Sequence, residues 1–399
     1  MSTTYILLHK NIPVCAFELE TEVVSAVVNE KTAAHLPLPL KRIVHQALEF
    51  VSEKRDANLL LNEEGCSLVD FWLNDRTVPV NRKNRYKYGG AKNKLAWMLE
   101  NHACSLDDCY WIRTKEERMT WEDVRLYGYD KVDILTQENL ADQAHYNNAA
   151  NSTLGGELEK YWFCQKTDNG TELFLCKKTS PSNDILIIRE KIANMIYENQ
   201  GYSKYCRYQY VYNTEHQLVG CFCKAFTTES LELITAYDLL EEYNLTQQED
   251  LYRILAERAE AYGFPVEQTR EYLDIQAVVD FLITNRDRHQ GNIGFLRDPD
   301  SLKIIQTAPV YDSGSSESME YELPIDTEHM RVNGLYHTER ECLEHVSDLR
   351  KIDLSKLPNS EMIEKELEMS GSLSQKRKDF LVKLYQDKIA VLKSMQAGQ

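Results

Sequence analysis

The chain has 399 residues, a formal net charge of −17 and ten cysteines, none of which form a C-x-x-C pair. This length allows two or three domains and a substantial core, whereas the acidic balance argues against a broad nucleic-acid-binding surface, which needs clustered Lys and Arg. No apolar run reaches the roughly 18 residues of a membrane helix, so we expect a reduced, cytosolic (cytoplasmic) protein without membrane contacts or direct nucleic-acid binding.

Residues 1–145 are predicted to form a mixed α/β accessory domain of unknown role. The periodicity of apolar residues predicts strands at 5–8 and 14–19, and helices near 40–53 and 91–102. Segment 72–82 interleaves an aromatic residue, arginines and a proline, and favours a structural turn over a ligand site. The basic run 81–88 favours a solvated loop over a binding patch.

A polar segment, residues 142–152, predicts a hinge into a small β-rich lobe that spans residues 146–228. The turn tripeptide Asp168-Asn169-Gly170 favours a hairpin, because Asn and Gly tolerate positive φ. The elements predicted here are strands at 161–166 and 172–178, a helix at 184–199 ending at Gly201, and strands at 207–212 and 218–226.

Residues 229–399 are predicted to form a larger, helical lobe. Helices are predicted at 247–262 and 269–283, the second with apolar residues at i, i+3, i+4 and i+7, and again beyond residue 339. The chain is therefore expected to be an α+β protein in which a small β-rich lobe precedes a helical one.

Chemistry concentrates in a loop directly after the helix at 269–283. Asp287 stands five residues before Asn292, and Asp312 follows after a short predicted hairpin. Phosphoryl transfer needs oxygen ligands for Mg²⁺ and an acceptor for the proton of the incoming hydroxyl. We assign Asp287 to orienting or deprotonating that hydroxyl, and Asn292 and Asp312 to Mg²⁺; Arg288 and His289 could contact phosphates or lock the loop. Alternatively, Asp287 and Arg288 could form a surface ion pair, and Asp312 could begin an ordinary turn. These alternatives would explain each element by itself, but not the order in which the elements follow one another.

The pattern N-x-D-R-H-x-x-N-x-G-F-L followed by A-P-x-Y-D-x-G-S-S, within residues 150–340, resembles the C-terminal kinase domain of the HipA-like family of bacterial serine/threonine kinases. The resemblance implies a two-lobed kinase-like fold, ATP and Mg²⁺ as cofactors, and a Ser or Thr acceptor. The order D-R-H-x-x-N also occurs in phosphatidylinositol 3- and 4-kinases, so a lipid or small-molecule acceptor stays open. A nucleotide-binding scaffold without turnover is a third possibility.

The same resemblance implies a strand lysine, a helix glutamate and a hinge in the small lobe. Lys177 fits the lysine that meets the α- and β-phosphates, because alternation sets it on the face opposite Lys178, which is the fallback. Glu190 is the candidate to pair with Lys177, unless it is a solvated helix residue. Phe226 is the candidate ring contact to adenine.

The segment Ser152-Thr153-Leu-Gly155-Gly156, followed by Lys160, resembles the phosphate-covering loop of the family. Glycines let backbone N–H groups approach phosphate oxygens, although an ordinary turn would share this composition. Toxins of the family phosphorylate a serine in this loop. The resemblance therefore implies autophosphorylation at Thr153 or Ser152.

Residues 1–145 look like the leader region of stand-alone HipA-domain proteins of bacteria rather than the N-terminal subdomain of the HipA toxin. The expected partner is an unknown cytosolic protein substrate. One version of this hypothesis makes the chain a toxin that a small helix-turn-helix antitoxin neutralises.

Overall fold

The computed structural model describes most of the chain, with backbone alone for residues 45–50. The described residues are 2–50, 58–88, 93–128, 132–136, 139–141, 149–151, 153–156, 158–168, 170–179, 183–242, 250–314 and 330–398. Within them, no helix is long and apolar enough to cross a membrane.

In residues 1–145, the predicted accessory domain, the strands form a five-stranded antiparallel sheet with the order β4-β3-β2-β1-β5. Its strands are β1 (Thr3–His9), β2 (Ile12–Leu19), β3 (Val23–Asn29), β4 (Asn58–Leu60) and β5 (Tyr110–Thr114). Its helices are α1 (Leu38–Phe50), α2 (Glu63–Asp75), α3 (Lys94–Glu100) and α4 (Trp121–Val124). The predicted strands at 5–8 and 14–19 lie inside β1 and β2, whereas β3 and β5 were not predicted.

The small lobe carries a four-stranded antiparallel sheet, order β6-β7-β9-β8, and one long helix. The elements are β6 (Lys160–Thr167), β7 (Gly170–Lys178), α5 (Ile185–Asn199), β8 (Gln209–Tyr212) and β9 (Leu218–Lys224). Lys177 of β7 is buried, as is its neighbour Cys176, whereas Lys178 donates to the Ala141 carbonyl at 2.6 Å. Gly220 allows β9 to approach β7, because a Cβ there would lie 2.4 Å from the Lys177 carbonyl oxygen.

Within the described residues of 229–399, the predicted helical lobe, a three-stranded antiparallel sheet of order β10-β11-β12 is combined with six α-helices. The elements are β10 (Glu232–Thr235), α6 (Ala236–Glu241), α7 (Leu251–Ala261), α8 (Val266–Ile283), β11 (Gly294–Arg297), β12 (Ile304–Thr307), α9 (Glu339–Glu344), α10 (Ser360–Glu368) and α11 (Gln375–Gly398). Helix α8 is buried from Tyr272 to its end at Ile283 and shares one apolar core with α5. The next residue, Thr284, has a φ of 57° and turns the chain into the loop that holds the motif.

A buried polar cluster fastens the accessory domain to the helical lobe. His9 of β1 lies 3.1 Å from the Glu232 carboxylate, which also pairs with Arg297 at 2.6 Å. Arg297 donates in turn to the hydroxyl of Tyr110 on β5 at 3.1 Å. Burial opposes ionisation of Glu232, but Arg297 and His9 outweigh it and lower the pKa of this carboxyl to about 2. The cluster thus contains a buried ion pair between Glu232 and Arg297.

Candidate active site

Three charged side chains from separate elements meet at the centre of the site. Lys177 Nζ on β7 donates to Glu190 Oε1 on α5 at 2.6 Å and to Asp312 Oδ1 at 2.7 Å. The Lys177 and Glu190 side chains are each 3% exposed. Burial alone would lower the pKa of Lys177, but the two carboxylates hold it well above its usual range. Glu190 is therefore a buried partner of Lys177 and not a solvated helix residue.

Asp312 lies in a tightly constrained turn after β12. Its backbone has a φ of 55°, and the next N–H, of Ser313, donates to Glu190 Oε2 at 2.9 Å. A Cβ on Gly314 would lie 2.3 Å from the Leu186 carbonyl oxygen, so the turn approaches α5 as closely as glycine permits. The side chain of Asp312 is 28% exposed, so its carboxylate can still reach a ligand.

The electrostatic surroundings keep the Asp312 carboxyl ionised. Burial alone would raise its pKa, but Lys177 and Lys160 hold the pKa well below its usual range. Lys160 Nζ lies 3.7 Å from the second oxygen of Asp312. The site therefore presents a negative oxygen ligand beside two ammonium groups, an arrangement that suits both a divalent cation and phosphates.

Arg288 connects the loop that contains Asn292 with the turn that contains Asp312. Its guanidinium pairs with Asp280 of α8 at 2.7 Å and donates to the Asn292 carbonyl at 3.0 Å. It also donates to the Tyr311 carbonyl and, at 3.2 Å, to Ser313 Oγ. Of the two predicted roles for this residue, the described contacts correspond to locking the loop.

Asp287, His289 and Asn292 lie together in the same loop. Asn292 Nδ2 donates to the Asp287 carbonyl at 2.9 Å, and the His289 ring accepts from the Gly291 N–H at 3.0 Å. The Asp287 carboxylate accepts from Asn333 Nδ2 at 2.8 Å. Sequence reasoning missed Asn333, since nothing in its local pattern marks it.

The loop that the sequence predicts to cover phosphates begins beside residues of the predicted accessory domain. Gly155 and Gly156 are exposed, and Gly156 has a φ of 83°. A Cβ on Gly156 would lie 2.8 Å from Lys160 Nζ, so the lysine passes directly beneath the loop. Thr153 donates to Ser105 Oγ at 2.9 Å. The other predicted phosphorylation residue, Ser152, lies outside the described residues.

Phe226 follows β9 at the predicted hinge. Its ring stacks on Tyr311, the neighbour of Asp312, with ring centroids 5.5 Å apart and planes inclined by 28°. The structure thereby places Phe226 next to the Asp312 turn. Its contact with adenine stays a prediction.

The prediction of a solvated loop at 81–88 was wrong for Arg82 and Tyr88. Both side chains are buried, and they donate to the carbonyl groups of Gly155 and Lys160. The cause is the long reach of each side chain towards main-chain carbonyls of a distant segment. A basic run was the only signal in the sequence, and it does not indicate the partner. Segment 72–82 contains the end of α2 and the turn that follows it, in line with the structural turn predicted there.

The residues present fit Mg²⁺ held jointly with a nucleotide. Within the described ranges, no group of three or more His, Cys, Asp or Glu side chains could hold a metal ion by itself. Mg²⁺ commonly binds through one or two protein oxygens together with substrate phosphates. The Asp312 carboxylate and the Asn292 amide are such oxygens.

Comparisons with known proteins support the fold. No family model matches the sequence, and no curated protein matches it. The structure is similar to HipA of Shewanella oneidensis MR-1, solved with HipB and operator DNA, with a TM-score of 0.55, 12% identity, and coverage of 99% of this chain and 98% of that chain. A proinflammatory kinase, CtkA of Helicobacter pylori, matches with a TM-score of 0.41 and 20% identity over 61% of this chain and 94% of that chain. The chain has the HipA-like, kinase-like fold that its motifs predicted.

Proposed function

We propose that the chain is an ATP- and Mg²⁺-dependent serine/threonine protein kinase of the HipA type. The observation that carries this proposal is the Lys177 ammonium, held at 2.6 Å from Glu190 and 2.7 Å from Asp312. A lysine fixed by a helix glutamate beside a metal-binding aspartate is the arrangement that protein kinases need for transfer.

In this proposal ATP supplies the phosphoryl group, and Mg²⁺ neutralises charge on its phosphates. Lys177 binds the α- and β-phosphates, and Asn292 and Asp312 hold the cation. Asp287 orients the acceptor hydroxyl and accepts its proton. Arg288 keeps the two loops in register, because it contacts the backbone of both.

The other groups proposed to contact the nucleotide are assigned from their positions around Lys177 and Asp312. The backbone at Gly155 and Gly156 covers the phosphates, and Lys160 lies beneath it. Phe226, stacked on Tyr311, contacts the adenine ring. These contacts leave the exposed side of Asp287 for the acceptor.

We place autophosphorylation in the same loop, at Thr153 or Ser152. The hydroxyl of Thr153 is bound to Ser105 at 2.9 Å, so phosphorylation there requires that the loop leave the accessory domain. The further substrate is an unknown cytosolic protein. Because the similar HipA was solved with HipB and operator DNA, a small helix-turn-helix antitoxin is the proposed regulatory partner of a cytoplasmic toxin.

The test is incubation of the purified chain with γ-labelled ATP and Mg²⁺, beside Asp287→Ala and Asp312→Ala. Label should appear on the wild type and disappear in both variants, with peptide mass spectrometry locating it. Asp379→Ala, an exposed carboxylate of α11, is the matched control and should keep the label. Label that appears in added lipid or metabolites instead, or nowhere, would refute a protein kinase.

A further inference from the structure

A segment of the accessory domain reaches across to the phosphate-covering loop. Arg82 donates to the Gly155 carbonyl at 2.8 Å and to the Leu158 carbonyl at 2.6 Å, and it also contacts the Leu154 carbonyl. The residue is only 4% exposed. One guanidinium thus binds three carbonyl groups of a loop more than 70 positions away in the sequence.

Tyr88 fixes the far end of the same loop. Its buried hydroxyl donates to the Lys160 carbonyl at 2.7 Å and accepts from the Lys160 N–H at 2.8 Å. These two bonds occupy both main-chain groups of the residue where β6 begins. The hydroxyl therefore determines where the loop ends and the strand starts.

Glu159 adds a third attachment between the same two segments. Its carboxylate, 7% exposed, pairs with Lys87 at 3.0 Å and accepts from Asn84 at 2.5 Å. Residues 82–88 therefore contact the loop near both of its ends. Charge-assisted and bidentate bonds of this kind are among the stronger polar contacts in proteins.

The charges around the loop suit a polyphosphate. Lys160 is buried, and its pKa is lowered by burial, with Lys177 and Arg82 adding to the shift against the attraction of Asp312. Burial also lowers the pKa of Arg82, and Asp312 and Glu159 act in the opposite direction. Lys177 and Arg82 thus both repel the Lys160 ammonium, and an incoming anion would relieve this repulsion.

We propose that Arg82 and Tyr88 are positioning residues that hold loop 154–160 over the nucleotide phosphates, so that the accessory domain is part of the nucleotide site. This inference rests on the proposed function, since it assumes that the loop covers phosphates. The accessory domain is then required for tight binding of ATP and is not a detachable module for regulation.

The experiment measures loop order and nucleotide affinity in Arg82→Gln, Arg82→Lys and Tyr88→Phe of the full chain. Arg118→Gln, an exposed arginine of the same domain, is the matched control. Hydrogen exchange of peptides from 153–160 reports loop order without nucleotide. Calorimetric titration with Mg²⁺·ATP and with adenosine separates contacts to the phosphates from contacts to the base.

Arg82→Gln should speed exchange in the loop and weaken Mg²⁺·ATP binding about tenfold through loss of charge-assisted bonds, while adenosine binds as before. Arg82→Lys should restore part of the affinity. If Arg82→Gln does not fold, Tyr88→Phe provides the same comparison, because it removes a single oxygen atom.

The inference is overturned if loop exchange and ATP affinity stay within about twofold of wild type, the scatter expected for surface substitutions. It is also overturned if adenosine affinity falls as much as ATP affinity, because the role would then be general stability. If the wild type binds ATP but transfers no phosphate, the proposed kinase activity is refuted. The comparisons of loop exchange and of ATP affinity still test the role of Arg82 and Tyr88 in that case. A wild type that binds no ATP overturns both proposals.

Discussion

Removal of the Lys177 ammonium should destabilise the small lobe in a way that depends on Glu190. In Lys177→Met, the Glu190 carboxylate, which is 3% exposed, loses the cation that lies 2.6 Å away. The Asp312 carboxylate keeps Lys160 at 3.7 Å and is 28% exposed. The uncompensated charge is therefore mainly that of Glu190.

Breaking a buried pair by removing one partner costs about 3–5 kcal/mol of stability. Because Lys160 still neutralises Asp312, we expect the cost of Lys177→Met to lie near the lower end of this range. Glu190→Gln keeps a carbonyl acceptor for the Ser313 N–H but loses the charge, at a cost of about 1–2 kcal/mol. The double variant buries neither an unpaired carboxylate nor an unpaired ammonium. It should be less destabilised than the sum of the single variants by about 2 kcal/mol.

The assay is urea unfolding of the four proteins at pH 7 without nucleotide, followed by tryptophan fluorescence and circular dichroism. A matched control is the pair Lys224–Glu172, which joins the same sheet at 2.6 Å with a lysine that is 63% exposed. Lys224→Met and Glu172→Gln should show a coupling below about 1 kcal/mol, as exposed pairs do. If the destabilisation of the double variant equals the sum of the two single variants to within about 0.5 kcal/mol, Lys177 and Glu190 do not depend on each other and the prediction is refuted.

Three further predictions concern the surroundings of the site. Burial, reinforced by a neighbouring aspartate, raises the pKa of Asp107 to about 6. The folded chain therefore keeps a proton on this carboxyl that the unfolded chain loses near pH 4. The free energy of unfolding consequently falls as the pH rises between about 4 and 6. Asp107→Asn should therefore raise Tm at pH 8 and leave it nearly unchanged at pH 4 by scanning calorimetry; a lower Tm at pH 8 would contradict this. Asn333→Ala removes the 2.8 Å hydrogen bond to Asp287 and should lower kcat about tenfold with KM for ATP unchanged, whereas an unchanged kcat would exclude a positioning role. Gly314→Ala should lower the free energy of unfolding by about 1–3 kcal/mol, because its Cβ would meet a backbone oxygen. Gly371→Ala is the control, since a Cβ there would have open space around it. Equal effects of the two substitutions would argue against the steric explanation.

The parts of the site that the sequence predicted are those set by local spacing. Asp287 and Asn292 lie in one loop, and Arg288 of that loop contacts Tyr311 and Ser313, the two neighbours of Asp312 after the short hairpin. Strand alternation placed Lys177 and Lys178 on opposite faces of the strand, and the family resemblance favoured Lys177. In each case the relevant geometry is determined within about 30 residues.

The parts that the sequence could not predict depend on distant segments. Strand β5 pairs with β1 across more than 100 positions, and this pairing places Tyr110 beside Arg297. Arg82 likewise finds its acceptors in main-chain carbonyls, which every residue carries. A carbonyl acceptor leaves no mark on side-chain identity, so no pattern of residues can indicate such a contact.

The accessory domain contacts both lobes through polar groups that are costly to separate. His9 meets Glu232 on the helical lobe at 3.1 Å, and Arg82 meets Gly155 of the small lobe at 2.8 Å. A motion that moves the lobes apart must therefore break one set of contacts or carry the accessory domain with one lobe. Separation at Glu232 exposes a compensated buried ion pair, whereas separation at the loop breaks hydrogen bonds to main-chain carbonyls. Because Arg82 and Tyr88 hold the loop through neutral main-chain carbonyls, whereas the cluster at Glu232 contains a buried charge pair, we expect the loop to detach first and the polar cluster to persist.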